Sequence, residues 1–141
     1  MADTLELEIV TPDKLLVRTP AEQVQIPGKN GYLGILPGHA PLITELTIGE
    51  ISYRQSGTTH YFAVAWGFAE VLPDKVTILA DTAERAEDID VPRAQAAKAR
   101  ADEALKRAAH DLDFDATLYA QRRAEVRLEV ASRAGRTAAA H

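Results

Sequence analysis

From the start of the chain to about residue 85, apolar residues either alternate with polar ones or come in short bursts. Leu5, Leu7 and Ile9 stand between Glu6 and Glu8, and the segments "EQVQI", "EISYR", "THYFAVA", "FAEVL" and "KVTILA" follow. An apolar residue at every second position lays one face of a strand against a core, so these segments predict β-strands. Between them lie "PGKNG", "LPGHAP", "TIGE", "SGTT" and "PDK", whose glycines and prolines supply the backbone angles that hairpins need. Eight to ten short strands in about 80 residues predict a β-sandwich or flattened barrel.

After "AERAEDIDVP" the period changes. Ala, Arg, Glu and Leu dominate, and no proline or glycine occurs from Arg93 to Ala134. That composition predicts helix, and "HDLDFD" at 110–115 interrupts it. Asp90 is placed to cap the first helix, with Pro92 in its first turn, where no intrahelical bond needs its missing N–H. Asp115, or Asp113 before it, can cap a second. The result is an antiparallel helical hairpin, roughly 91–109 and 115–133, within a C-terminal part spanning 86–141 that follows a β part spanning 1–85. The fold class is α+β. Ala94, Ala97, Ala101, Ala104 and Ala108 form a seam on the first helix. Alanines let another helix approach but bury little area, at about 25 cal/mol per Å², which predicts a mobile element on a firmer platform, with a fixed hairpin docked on the sandwich as the equal alternative from pattern alone.

The sequence contains 16 basic and 21 acidic side chains, a net charge of −5, which argues against nucleic acid as the main ligand. The β part holds six basic and eleven acidic groups and the helical part ten of each. With no cysteine there is no disulfide, thiolate metal site or thiol nucleophile, and a reducing compartment is expected. The first residues carry acids where a signal peptide needs bases, and no apolar run approaches the roughly 18 residues that span a bilayer. Membrane contact is expected only through a partner, and "RTAAAH" at 136–141 is expected to fray.

His39, in the glycine- and proline-rich "NGYLGILPGHAPLITEL", is the first candidate for chemistry. A small hydrolase or metal enzyme built on His39 or His60 is the alternative function. It lacks support: Ser52, Ser56 and Ser132 are the only serines, none in a nucleophile-elbow pattern, and the four histidines have no ligand spacing. His39 is expected to pin a turn or face a partner. "IPGKNGYLG" lacks the first glycine and the Ser/Thr of a P-loop. Arginines offer a different way to hold phosphate. Arg93 and Arg100, seven apart, share a face of the first helix, and Arg123 and Arg127, four apart, share one of the second. Antiparallel packing could bring the pairs together, although spacing alone favours solvated arginines on a charged hairpin. With Asp90 as N-cap, Arg93 falls at a position where the helix dipole favours an acid, which invites a functional explanation.

Over nearly its whole length the sequence resembles the epsilon subunit of bacterial F-type ATP synthase, called delta in mitochondria. "GYLGILPGHAPLI", "WGFAEVLPDKVTILADTAERAEDID" and the helical hairpin occur in the family's order. The resemblance implies a ten-stranded N-terminal β-sandwich, a C-terminal antiparallel two-helix hairpin, and a non-catalytic rotor subunit of the central stalk. Its implied partners are the gamma subunit, the ring of c subunits and, through an extended hairpin, the alpha and beta subunits. The implied location is peripheral, on the cytoplasmic face of the bacterial inner membrane. Tyr32 and His39 would lie in the contact region for the ring and gamma, with Tyr32 where relatives often carry an acid. The family's hairpin impedes ATP hydrolysis when extended and permits turnover when folded down. Some members bind ATP in the folded-down state through I-D-x-x-R-A, matched here by Ile89, Asp90, Arg93 and Ala94. The remaining contacts carry over to Glu84, Arg100, Arg123 and Arg127. ATP is then a regulatory ligand, and no cofactor is required.

Overall fold

In the computed structural model, residues 3–107 and 114–134 are described. Ala108, His110 and Asp113, and with them the first four residues of the "HDLDFD" break, fall outside these, as does the segment expected to fray at the end. Among the described residues eight strands precede two α-helices: β1 (Leu5–Val10), β2 (Leu15–Ala21), β3 (Gln23–Gly28), β4 (Gly31–Ile35), β5 (Leu42–Leu46), β6 (Gly49–Gln55), β7 (Thr58–Val71) and β8 (Lys75–Arg85), then α1 (Val91–Arg107) and α2 (Phe114–Ala131).

The sheet runs β2-β1-β8-β7-β5-β3-β4 and folds back on itself, because β6 pairs with both β3 and β7. Neighbours are antiparallel except β1 and β8, which run parallel from Glu6↔Lys75 to Val10↔Leu79. Alternation does what the sequence predicts in β1, where Leu5, Leu7 and Ile9 are buried. They join Val24, Ile26, Ile51, Phe62, Val76 and Ile78 in the sandwich core.

"THYFAVA" and "FAEVL", read as separate strands, form the single strand β7, and between them the inward face changes parity. Phe62 and Val64 point into the sandwich, but beyond the bend the inward residues are Ala69 and Val71. The switch occurs at Trp66 (φ 60°) and Gly67 (φ 130°), in backbone regions that L side chains rarely adopt. There the ladder to β8 skips the pair Trp66/Asp81 without changing register. β8 inverts at the same level: Val76, Ile78 and Ala80 are buried in the core, whereas Ala83 packs against it further on. Each long strand thus serves as two, which reconciles eight continuous strands with the ten that the resemblance implies.

The hairpin lies over the face this inversion creates. Ala63 and Ala65 of β7, with Ile48, form a second apolar cluster with Ala86, Ile89, Ala94, Val126 and Val130. Beyond the end of α2, Arg133 forms an ion pair with Glu50 and lies 5.4 Å from the centre of the Tyr61 ring.

Candidate functional site

The face inversion decides where Glu84 points. Had β8 kept its alternation beyond Ala80, Thr82 and Glu84 would be the next residues directed into the core, and an unpaired carboxylate there would be costly. Instead both line a cavity of about 770 Å³ between β8 and the two helices, with Arg100 of α1 and Arg123 and Arg127 of α2. Arg127 donates to both oxygens of Glu84, Nε to Oε1 at 2.7 Å and a terminal nitrogen to Oε2 at 3.3 Å. This fork-to-carboxylate geometry is the one by which guanidinium also engages phosphate.

The rest of the wall is small. Ala97, Ala101 and Ala104 of α1 face Ala116, Ala120 and Ala124 of α2 across the cavity. The alanine seam therefore borders open space over much of its length; among its described members Ala94 and Ala101 are buried, Ala94 in the second cluster. A polar bond ties the helices together nearby: Asp102 accepts from Gln121 of α2 at 2.6 Å, and within α1 it accepts from Lys98 at 2.8 Å. The Lys98 hydrogen bond, then that from Gln121, holds the Asp102 carboxyl below its ordinary range. The same ion pair raises the Lys98 ammonium.

Asp90 caps α1 as its position predicts, its Oδ1 accepting from the Arg93 N–H at 3.1 Å. Asp115, by contrast, lies inside the first turn of α2, which begins at Phe114, so it favours the helix dipole without being the cap. Arg93 and Arg100 share a face but are separated by about 10 Å along the axis. Arg100 borders the cavity and Arg93 is exposed at the head of α1, outside the lining. Ile89 and Ala94 are buried under α2, where they anchor the start of α1 by packing. Thr82, Thr117 and the facing alanines of α2 line the cavity without having been singled out in the sequence. The period of α2 placed its arginines, but nothing showed how far apart the helices would stand.

Tyr32 and His39 lie away from this cavity. The Tyr32 hydroxyl accepts from the Glu50 N–H at 3.0 Å, fastening β4 to β6 while the ring stays half exposed. His39 turns Nδ1 to the Ala40 carbonyl at 2.7 Å, which makes Nδ1 the protonated nitrogen. Its backbone N–H closes the turn on Leu36. Among the described residues no three His, Cys, Asp or Glu side chains gather as metal ligands, and no helix is long and apolar enough to cross a membrane.

Two family descriptions cover the chain in succession: the β-sandwich domain of the ATP synthase delta/epsilon chain matches residues 4–86, and its long α-helix domain matches 87–132. An ATP synthase epsilon chain of Koribacter versatilis is 76% identical over 106 residues, 75% of each chain. That of Geotalea uraniireducens is 44% identical over 137 residues, 96% of this chain and 99% of the relative. A chain in the Euglena gracilis mitochondrial ATP synthase superposes with a TM-score of 0.68 at 22% identity, covering 100% of this chain and 84% of that one, a likeness of fold. Another, from the central stalk and c-ring of the Tetrahymena thermophila enzyme, gives 0.57 at 18% identity, covering 92% and 95%.

Proposed function

The chain belongs to the ATP synthase delta/epsilon family, and from that premise we propose that it is a non-catalytic rotor subunit whose helical hairpin senses ATP. In this reading the sandwich couples proton-driven rotation to the catalytic head by gripping gamma and the c-ring at the cytoplasmic face of the membrane. Leu36 and Ile43, 59% and 71% exposed in and beside the turn that holds His39, support a contact surface there, and Tyr32, 51% exposed, stands at the opposite end of β4. The hairpin, extended toward alpha and beta, impedes hydrolysis, and folded down it releases the brake.

One observation carries the sensing role: Arg100, Arg123 and Arg127 converge with Glu84 on a single cavity. A triphosphate brings more negative charge than one carboxylate. It can take Arg127 from Glu84 while engaging the two other guanidinium groups, leaving Glu84 to orient them or accept from the remainder of the nucleotide. Ile89, Asp90, Arg93 and Ala94 contribute by fixing the start of α1, and Arg93 can meet the ligand from the rim. Because the cavity walls belong to β8, α1 and α2 together, ATP binds only when all three are assembled, and so stabilises the folded-down arrangement.

Calorimetry of the full chain tests this. A hydrogen bond to a charged group contributes about 1.5 to 3 kcal/mol, so Arg127→Ala should weaken ATP binding roughly ten- to hundredfold. Arg54→Ala, on the exposed side of β6, should leave it unchanged. Absence of binding by the parent chain at millimolar ATP, or equal loss from both variants, would reject the sensor.

A further inference from the structure

We propose that Trp66 and Tyr119 form a clasp that holds the hairpin against the sandwich independently of any ligand in the arginine cavity. Trp66 stands at the face inversion of β7 in the left-handed region, at φ 60°. A non-glycine residue keeps such a conformation only where its surroundings over-determine it. Here the surroundings lie on both sides. Below, the Trp66 N–H meets the Thr47 carbonyl at 3.4 Å, and the next residue, Gly67, sits so close to β8 that a Cβ would fall 2.0 Å from the Leu79 carbonyl oxygen.

Above, the indole packs against the second apolar cluster and meets the ring of Tyr119, on α2, edge-on, with centroids 5.1 Å apart and planes at 89°. Edge-to-face contact between aromatic rings is favourable beyond the area it buries. Unbroken alternation from Phe62 and Val64 would have directed residue 66 into the sandwich core. The bend turns the largest side chain of the strand outward onto the hairpin instead. Neither Trp66 nor Tyr119 borders the arginine cavity, so a ligand bound there leaves the contact untouched. The clasp therefore sets the balance between docked and released hairpin on which any ligand then acts. It rests on the hairpin being able to leave the sandwich, as in the function proposed above, but not on ATP binding.

The chain lacks cysteine, so a single introduced thiol reports its own burial. Ala63→Cys places one beneath α2, where residue 63 is 7% exposed, and Val64→Cys places one on the opposite, core-facing side of β7. Labelling of the first in the full chain without nucleotide measures lifting of the hairpin, and labelling of the second measures opening of the sandwich. Tyr119→Ala should speed labelling of the first thiol roughly two- to tenfold, the range expected for loss of an edge-on aromatic pair. It should leave the second unchanged, and Tyr119→Phe, which keeps the ring, should label like the parent. A parental rate in Tyr119→Ala, equal rates in the Ala and Phe variants, or parallel acceleration at Val64→Cys would overturn the clasp. Adding ATP separates this idea from the sensor. If ATP fails to slow labelling while Tyr119→Ala still accelerates it, the sensor fails and the clasp stands.

Discussion

Replacing Gly67 by alanine should cost more than any other single methyl group added to the sandwich. Two effects combine there. Gly67 has φ 130°, a backbone that L side chains rarely adopt, and strain of this sort costs about 1–3 kcal/mol. Its new Cβ would also lie 2.0 Å from the Leu79 carbonyl oxygen and 2.9 Å from the Ala80 Cα. These are backbone atoms of a paired strand, so relief requires β7 and β8 to separate. Overpacking of a tight site adds about 1–3 kcal/mol. Together they reach about 2–6 kcal/mol, a large share of the roughly 5–15 kcal/mol by which domains are stable. The melting temperature of the β signal should fall by roughly 6–20 °C. Urea unfolding of the full chain, followed by circular dichroism, measures the loss. Gly34→Ala, whose added Cβ meets nothing within 4 Å, is the control and should stay within about 1 kcal/mol. A Gly67→Ala chain as stable as that control would show that the bend does not need its glycine, and that the parity change has another cause.

Residues 1–85 should fold alone, with β-type circular dichroism, and still co-purify with gamma, because β8 ends at Arg85 and the exposed turn around His39 lies within them. In the assembled head this truncation should raise ATP hydrolysis by removing the brake; failure to bind gamma, or unchanged hydrolysis, would count against the proposed division of labour. The lowered Asp102 carboxyl gives a pH test: a depressed folded-state value stabilises the hairpin above the ordinary carboxylate range, and that contribution is lost as pH falls through the lowered value. Asp102→Asn should remove this acid-dependent part of the helical signal, and superimposable acid titrations of parent and variant would show that the link between α1 and α2 does not respond to its charge.

Much of this was legible in the sequence because it rests on local periods. Alternation placed the core residues of β1, the composition change located the passage from strands to helices, and Asp90 with Pro92 gave the start of α1. Arg123 and Arg127 line the same side of the cavity because helical spacing sets which residues share a face, and Arg100 lines it from α1. Arg93 shows where that reasoning stops: angular position is periodic, but distance along the axis is not. The alanine seam illustrates a second limit, since small side chains permit close packing without requiring it. "AWGFAEV" marks a third. Its alternation breaks at Trp66–Gly67, which suggested a boundary between strands; only the proximity of β8 shows that the chain continues through the break and changes which side faces inward.

The parallel pairing of β1 with β8 bears on the order of events during synthesis. β1 can pair with β2 as soon as both exist, but its other edge must wait for Lys75–Leu79. Closure across so long a stretch is entropically slow, and until then β1 presents an unpaired edge to any neighbouring chain. Chaperone dependence and aggregation should therefore concentrate in nascent chains that stop short of β8. The helices leave the ribosome after every strand of the surface they cover.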